Sequence, residues 1–441
     1  MKIICYASSF CFALFSGFFF VAAMAEEPAS AYTLSDCIRI GFQNSPSLLN
    51  AARDRKIALS RITQAKAEAL PQLSANAVYR RLDELQEIDF GEEAIELGVL
   101  NNYSVSAEIS QLIYSGGRVR AALRAAELTD KYAEFAFVDA ESKLILDIKT
   151  GFYEIILAEN AIEVLEESVS QLESFLKQTK DKFDNGAASE YELISAKVKL
   201  ANEMPNLTAA RNIYRIALER FARLIGMDDC NFKLEGDLEF DAKEGAVLEF
   251  ERLALKQRPA VKVMETLVGL KKEDIASAQS LSKPNLSTFF SYNGANAYQF
   301  VSYEDEWEWH WNAGFVLQWN IWDGMLARGR AKEKKLEWEK SRTEFDEFKK
   351  QVKLEVKTAY LDMVHASETV DVGLGNIELA EKALTIAKAR HKTGVSTYLE
   401  FTDANLALST ARLTYLQALA GHMKAVARLE YAVGLSEKAK E

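Results

Sequence analysis

Trp309-His310-Trp311-Asn312-Ala313-Gly314-Phe315-Val316-Leu317-Gln318-Trp319-Asn320-Ile321-Trp322-Asp323-Gly324 decides the architecture. Trp309, Trp311, Ala313, Phe315, Leu317, Trp319 and Ile321 alternate with His310, Asn312, Gly314, Val316, Gln318, Asn320 and Trp322. Successive side chains of a strand point to opposite faces, so the pattern predicts a strand with one apolar face. Aromatic-rich ends suit a strand whose apolar face meets lipid and whose other face meets water. The competing reading is a half-buried sheet in a soluble domain. Just upstream, Leu286, Thr288, Phe290 and Tyr292 form the apolar face of a partner strand, which predicts a hairpin over about 284–322.

The same pattern occurs earlier in the chain. Tyr103, Val105, Ala107 and Ile109 alternate with Ser104, Ser106, Glu108 and Ser110, and Leu73, Ala75, Ala77 and Tyr79 supply the partner, over about 71–114. Ile113-Tyr114-Ser115-Gly116 matches Ile321-Trp322-Asp323-Gly324 at an offset of 208 residues. Gly186 and Gly394 keep that offset, as do Arg223-Leu224-Ile225-Gly226 and Tyr431-Ala432-Val433-Gly434. Ser45-Pro46 and Arg258-Pro259 are 213 residues apart, as are Leu70-Pro71 and Lys283-Pro284. The chain is a tandem repeat whose length difference falls between Pro71 and Gly116, in a loop that tolerates insertion. The organisation expected is a first repeat over 26–226, a linker or equatorial segment over 227–246, a second repeat over 247–434 and a tail over 435–441.

Each half has the same order of elements. Thr33-Leu34-Ser35-Asp36 is a capping-box pattern opening a short helix. Pro46 starts the next helix and Pro71 ends it. After the hairpin come two long helical stretches, about 117–184 and 189–225, with counterparts at about 325–392 and 396–433. Only 6 prolines and 21 glycines in 441 residues permit such lengths and argue against a sandwich, a propeller or a βαβ array. A helix near 68 residues would be about 100 Å long, so it belongs to a coiled coil or a wall of packed helices.

The start of the chain reads as an export signal over 1–25. Lys2 precedes an apolar run, Ala23-Met24-Ala25 is a small-x-small cleavage site, and Glu26, Glu27 and Pro28 follow. An uncleaved anchor is the other reading. An excess of 65 acidic over 53 basic residues, a net charge of -12, disfavours a nucleic-acid partner. The four histidines and four cysteines show no metal-ligand spacing, and no nucleophile elbow or phosphate loop is present. The chain is therefore expected to be neither an enzyme nor a cofactor or metal protein.

Two hairpins supply four strands, too few to close a barrel. An open edge in lipid leaves backbone groups unpaired, so strands that cross a bilayer require a homo-oligomer. The hairpin tips carry acids: Asp83, Glu84, Glu87, Asp89, Glu92, Glu93 and Glu96 in one, Glu304, Asp305, Glu306 and Glu308 in the other. They make either a cation-attracting mouth or ordinary solvated loops. Arg118, Arg120, Arg124 and the matching Arg328, Arg330, Lys332, Lys334 and Lys335 follow the strands, as partners for outer-membrane lipid or as a solvated helix face.

These features together resemble the TolC family of outer-membrane efflux channels over nearly the whole chain. They are the junctions Tyr114-Ser115-Gly116-Gly117-Arg118 and Trp322-Asp323-Gly324, the repeat, and Gly394-Val395-Ser396-Thr397-Tyr398-Leu399-Glu400-Phe401-Thr402-Asp403-Ala404. The resemblance implies a mainly α protomer with a small β part. Its long helices would form a periplasmic α-barrel, and its four strands would enter a twelve-stranded outer-membrane β-barrel made by a homotrimer. It implies docking to a periplasmic adaptor and to an inner-membrane pump or ABC exporter, in drug efflux, metal efflux or type I secretion. It places a gate at the turns around Gly186 and Gly394, with Glu400 and Asp403 as an acidic ring open to divalent-cation block. Its latch would match Glu192, His391 and Ser396. The basic partner is missing at Ser396, and Arg390 and Lys392 are the nearby bases that could substitute. The alternative is a periplasmic coiled-coil scaffold or adaptor that never enters a membrane.

Overall fold

The computed structural model describes residues 30–89, 94–97, 99–240, 245–296, 307–393, 395 and 398–435. The export signal at 1–25, Gly394 and Ser396, the acids Glu92, Glu93, Glu304, Asp305 and Glu306, and residues 436–441 lie outside the described residues. In chain order the elements are β1 (Ser30–Tyr32), α1 (Leu34–Asn44), α2 (Pro46–Ala67), β2 (Gln72–Arg81), β3 (Gln86–Asp89), β4 (Ala94–Leu97), β5 (Asn101–Ser115), α3 (Arg118–Asp184) and α4 (Glu190–Ile225). The second half adds β6 (Phe232–Leu234), α5 (Val247–Gln257), α6 (Pro259–Ser280), β7 (Asn285–Ala295), β8 (Glu308–Gln318), α7 (Leu326–Lys392) and α8 (Tyr398–Val433).

Local chemistry sets the helix starts. The Asp36 N–H donates to Thr33 Oγ1 at 3.3 Å and the Thr33 N–H donates to Asp36 Oδ2 at 3.2 Å, completing the capping box of α1. Pro46 and Pro259 open α2 and α6, where a missing N–H costs nothing. The long helices start on matched side-chain caps. Ser115 Oγ accepts from the Val119 N–H at 3.2 Å, and Asp323 Oδ2 accepts from the Ala327 N–H at 2.8 Å. The turns differ in one residue. Gly116 and Gly117 have φ of 64° and 98°; their counterparts Gly324 and Met325 have 65° and 71°. Met325 thus holds a left-handed conformation that glycine adopts without penalty.

α3 and α7 each have 67 residues, and α4 and α8 each have 36. At 1.5 Å per residue these are about 100 Å and about 54 Å long. α4 runs unbroken through Pro205. Toward the sheet the helices lie side by side in the order α2–α3–α6–α7; toward the other end the order is α4–α3–α8–α7. The core sits where these two sets meet. In the first half Ile148, Phe152 and Ile155 of α3 pack on Phe221 and Ile225 of α4, closed over by Cys37 of α1 and Phe232 of β6. In the second half smaller side chains, Val352, Val356, Ala425 and Val433, do the same work. β1 and β6 pair in parallel across this level. Among the described residues no helix is long and apolar enough to cross a membrane.

The four-stranded sheet has the order β2–β5–β7–β8, antiparallel throughout. One face stacks aromatic pairs across strands: Tyr79 on Tyr103 at 5.0 Å, Tyr292 on Trp309 at 5.3 Å and Phe290 on Trp311 at 6.2 Å between ring centres. The other face is polar, with Ser291 Oγ donating to Asn312 Oδ1 at 2.5 Å and Asn293 Nδ2 donating to Ser291 Oγ at 3.1 Å. The alternation read to Trp322 exceeds the strand, which ends at Gln318. Its partner strand starts at Asn285, opposite Gln318, and is preceded by Pro284, which has no N–H to extend a ladder. Both outer strands, β2 and β8, have one unpaired edge, and every residue of β2 is exposed.

Candidate functional site

The helix tips farthest from the sheet hold the acids and bases that the family resemblance assigns to a gate and its latch. Both tips end in the same hydrogen-bonded turn. After α3, the Ala187 N–H donates to Lys182 O at 2.7 Å and the Gly186 N–H to Phe183 O at 2.9 Å. With Gly186 at φ 72°, this is a Schellman close. After α7, the Val395 N–H donates to Arg390 O at 3.0 Å, the equivalent bond 208 residues on.

The turns place their charges differently. Glu192 is in a capping box: its Oε2 accepts from the Ser189 N–H at 3.0 Å, and Ser189 Oγ accepts from the Glu192 N–H at 3.3 Å. Glu192 therefore caps α4, and among the described residues no hydrogen bond or ion pair joins it to His391. Arg390, one of the expected substitute partners for Glu192, instead lies against Glu400, with Nε 3.6 Å from Oε2. Asp403 lies 3.5 Å from Lys199 Nζ of α4. Glu400 and Asp403 are three apart on the start of α8, on one face and both well exposed. Each ion pair is long and solvated, worth about 0–1 kcal/mol.

An aromatic clamp that the sequence reading missed holds the two tips together. Phe175 of α3 stacks on Phe401 of α8 at 4.9 Å, and His391 of α7 lies 5.2 Å from Phe175. Both phenylalanines are buried in a cluster with Ala196, Leu384 and Leu408. Lys182 Nζ is 3.5 Å from His391 Nε2. His391 thus belongs to this clamp, and its Nδ1 is buried without a hydrogen-bond partner among the described residues. The signal was weak because Phe175 and Phe401 have no aromatic counterparts in the other half, at Ala383 and Leu193.

Further up, charged side chains tie the halves together. Arg412 of α8 reaches Glu167 of α3 at 2.6 Å and Glu381 of α7 at 3.0 Å. Within the second half, Arg258, buried between α5 and α6, pairs with Glu355 at 2.6 Å and lies over the Tyr431 ring. Burial pushes the nearby Asp139 carboxyl above its ordinary value, while Arg258 and Lys143 pull the other way. At the sheet end, two bases read as lipid partners are already engaged: Arg118 pairs with Glu68 at 3.0 Å and Arg124 with Glu273 at 2.7 Å. No group of three or more metal-ligating side chains occurs among the described residues.

The family model described as outer membrane efflux protein matches residues 41–227 and 252–435, once for each half. The chain belongs to the outer membrane efflux protein family. It is 21% identical to the outer membrane protein TolC of Vibrio cholerae, over 95% of this chain and 93% of that protein. It is also 21% identical to TolC of Escherichia coli, over 84% of this chain and 75% of that one. Its fold matches the Campylobacter jejuni CmeC outer membrane channel with a TM-score of 0.79 at 16% identity, covering 98% and 96% of the two chains. The Vibrio cholerae outer membrane protein VceC gives 0.77 at 17% identity, covering 91% and 96%. Membership makes this chain an outer-membrane efflux channel protein whose helices extend into the periplasm.

Proposed function

We propose that three copies of this chain form the exit duct of a tripartite efflux or type I secretion system. In this reading their twelve strands close one β-barrel in the outer membrane. The observation that carries it is the sheet with two unpaired edges. β2 and β8 run in opposite directions, so β8 of one copy can continue the antiparallel ladder with β2 of the next. Closure removes backbone groups that lipid would leave unpaired, at several kcal/mol each. The helices continue the conduit through the periplasm, where a periplasmic adaptor and an inner-membrane pump or ABC exporter complete the path. The duct performs no chemistry.

The gate of this duct is the ring of tips. Glu400 and Asp403 from each copy face the axis, held to their own wall by Arg390 and Lys199. These weak pairs let the carboxylates swing to the aperture, where they select cations and bind divalent ions. Glu192 and His391 hold the tips by capping α4 and packing the aromatic clamp.

The test is single-channel conductance in a planar bilayer, comparing the unaltered protein with Glu400→Ala/Asp403→Ala. A small cation-selective conductance that rises in the double variant and loses its divalent block supports duct and gate. Channels indifferent to the change would keep the duct and remove this gate. A folded protein that stays soluble without detergent and makes no channels would end the duct reading.

A further inference from the structure

The junction between β8 and α7 differs from its counterpart in the first half. Trp319, Ile321 and Trp322 project into solvent, with Ile321 80% and Trp322 76% exposed against 53% and 48% for their counterparts Ile113 and Tyr114. Met325 and Leu326 extend this apolar surface where the first half has Gly117 and Arg118. The backbone accepts a left-handed non-glycine residue to put Met325 there. Directly below, Arg328, Arg330 and Lys332 are exposed, and none has an ion-pair partner among the described residues. In the first half the equivalent of Lys332 is Arg124, which is paired with Glu273.

Cations in the first turns of a helix face the positive end of its dipole; the first turn of α7 contains no acid, and the one carboxylate just before it, Asp323, is engaged by the Ala327 N–H. The arrangement therefore calls for an anion from outside this chain. A neighbouring copy is a poor source. The other open flank of the helix layer at this level is the end of α2, which carries Arg61 and Lys66, and the acid that follows it, Glu68, is already paired with Arg118. An apolar, tryptophan-bearing shelf with long cationic side chains immediately beneath it is instead complementary to the edge of a bilayer. Rings sit at the boundary, and the stems of Arg and Lys snorkel to the phosphates.

We propose that this junction binds anionic phospholipid headgroups of the leaflet on the helix side. Trp319, Ile321, Trp322, Met325 and Leu326 enter the acyl boundary, and Arg328, Arg330 and Lys332 hold the phosphates. The site fixes the depth of the sheet in the membrane and favours acidic over zwitterionic lipid. It rests on the outer-membrane reading above.

The test uses the full chain as assembled in detergent, with thermal unfolding followed as lipid is added. Phosphatidylglycerol raises the midpoint, while phosphatidylcholine and inorganic phosphate do not. Arg328→Gln/Arg330→Gln/Lys332→Gln needs roughly tenfold to a hundredfold more phosphatidylglycerol for the same shift, given how each basic residue contributes near an anionic surface. A control, Lys340→Gln/Lys350→Gln farther along α7, matches the unaltered protein. Rescue by Arg328→Lys/Arg330→Lys shows that charge, and not a folding defect, is being read. An equal response to both lipids, an unchanged triple variant, or an equal response to free phosphate each overturns the lipid site. Conductance in phosphatidylcholine bilayers separates the two readings. Channels there with no phosphatidylglycerol effect remove only the lipid site, whereas no channels in either lipid removes the membrane reading beneath it.

Discussion

The two halves of this chain share a backbone and place equivalent charges in different roles. Glu192 and Glu400 stand 208 residues apart, six residues after their turn positions. The first turns its carboxylate inward onto a helix cap, and the second leaves it outward against Arg390. Asp139 and Glu347 are another such pair. Asp139 has a buried oxygen near Arg258, while Glu347 is 71% exposed beside Lys350. Duplication supplies the scaffold, and divergence at matched positions separates the residues that cap or pack it from those left at its surface.

The strongest way to break this comparison is to remove the contact that joins the tips. Phe401→Ala should cost the tip cluster about 3–5 kcal/mol. Amide exchange should quicken in the ends of α3, α7 and α8, with the first-half core unchanged. Slow exchange at the tips would mean that the clamp is incidental.

The glutamate pair gives a sharper contrast. Glu192→Ala should lose about 1 kcal/mol of capping energy and loosen the first turn of α4. Glu400→Ala should change stability by less than about 0.5 kcal/mol, with its small effect vanishing in high salt. Chemical denaturation of the two variants side by side decides it. Equal losses would erase the distinction.

Asp139 brings pH into the comparison. Burial raises its carboxyl pKa above the unfolded value, so the folded chain binds the extra proton first. Stability from this group is therefore present at low pH and declines as pH rises through the raised value. Asp139→Asn should raise the melting temperature at neutral pH, with the gain shrinking once pH falls below the ordinary carboxylate range. Glu347→Gln should show no such pH dependence. A gain at acid pH alone would reverse the sign and defeat the assignment.

The smallest effect concerns the turns after the strands. Met325→Gly should stabilise by a few tenths to about 1 kcal/mol by relieving the left-handed backbone, while Gly117→Met should destabilise by more than that. Thermal melts suffice, and a loss in the first variant would show that Met325 packs usefully.

Much of this was legible in the residues because the repeat compares each element with its copy. Pro46 against Pro259, and Ser115 against Asp323, marked where helices begin, and the period-two aromatics marked the strands. The extent of β8 was not legible, because aromatic residues at a membrane boundary keep alternating after the ladder has lost its partner strand. The role of Glu192 was hidden for a related reason. An acid three residues after Ser189 is both a capping-box residue and a latch candidate, and the hydrogen bonds show the capping box. The clamp of Phe175, Phe401 and His391 joins residues up to 226 positions apart without a repeat counterpart, so no local pattern announces it.

The equal lengths of α3 and α7, and of α4 and α8, restrict how this protein can evolve. Adding four residues to α3 alone would carry its tip about 6 Å past that of α7 and rotate its apolar side by about 40°. Insertions and deletions in the helices are therefore admissible only in matched sets, one in each helix of both halves. Surface loops escape this rule, and there the five-residue difference between the halves has accumulated. The reach of the helix layer is inherited as two lengths, each written twice in the gene.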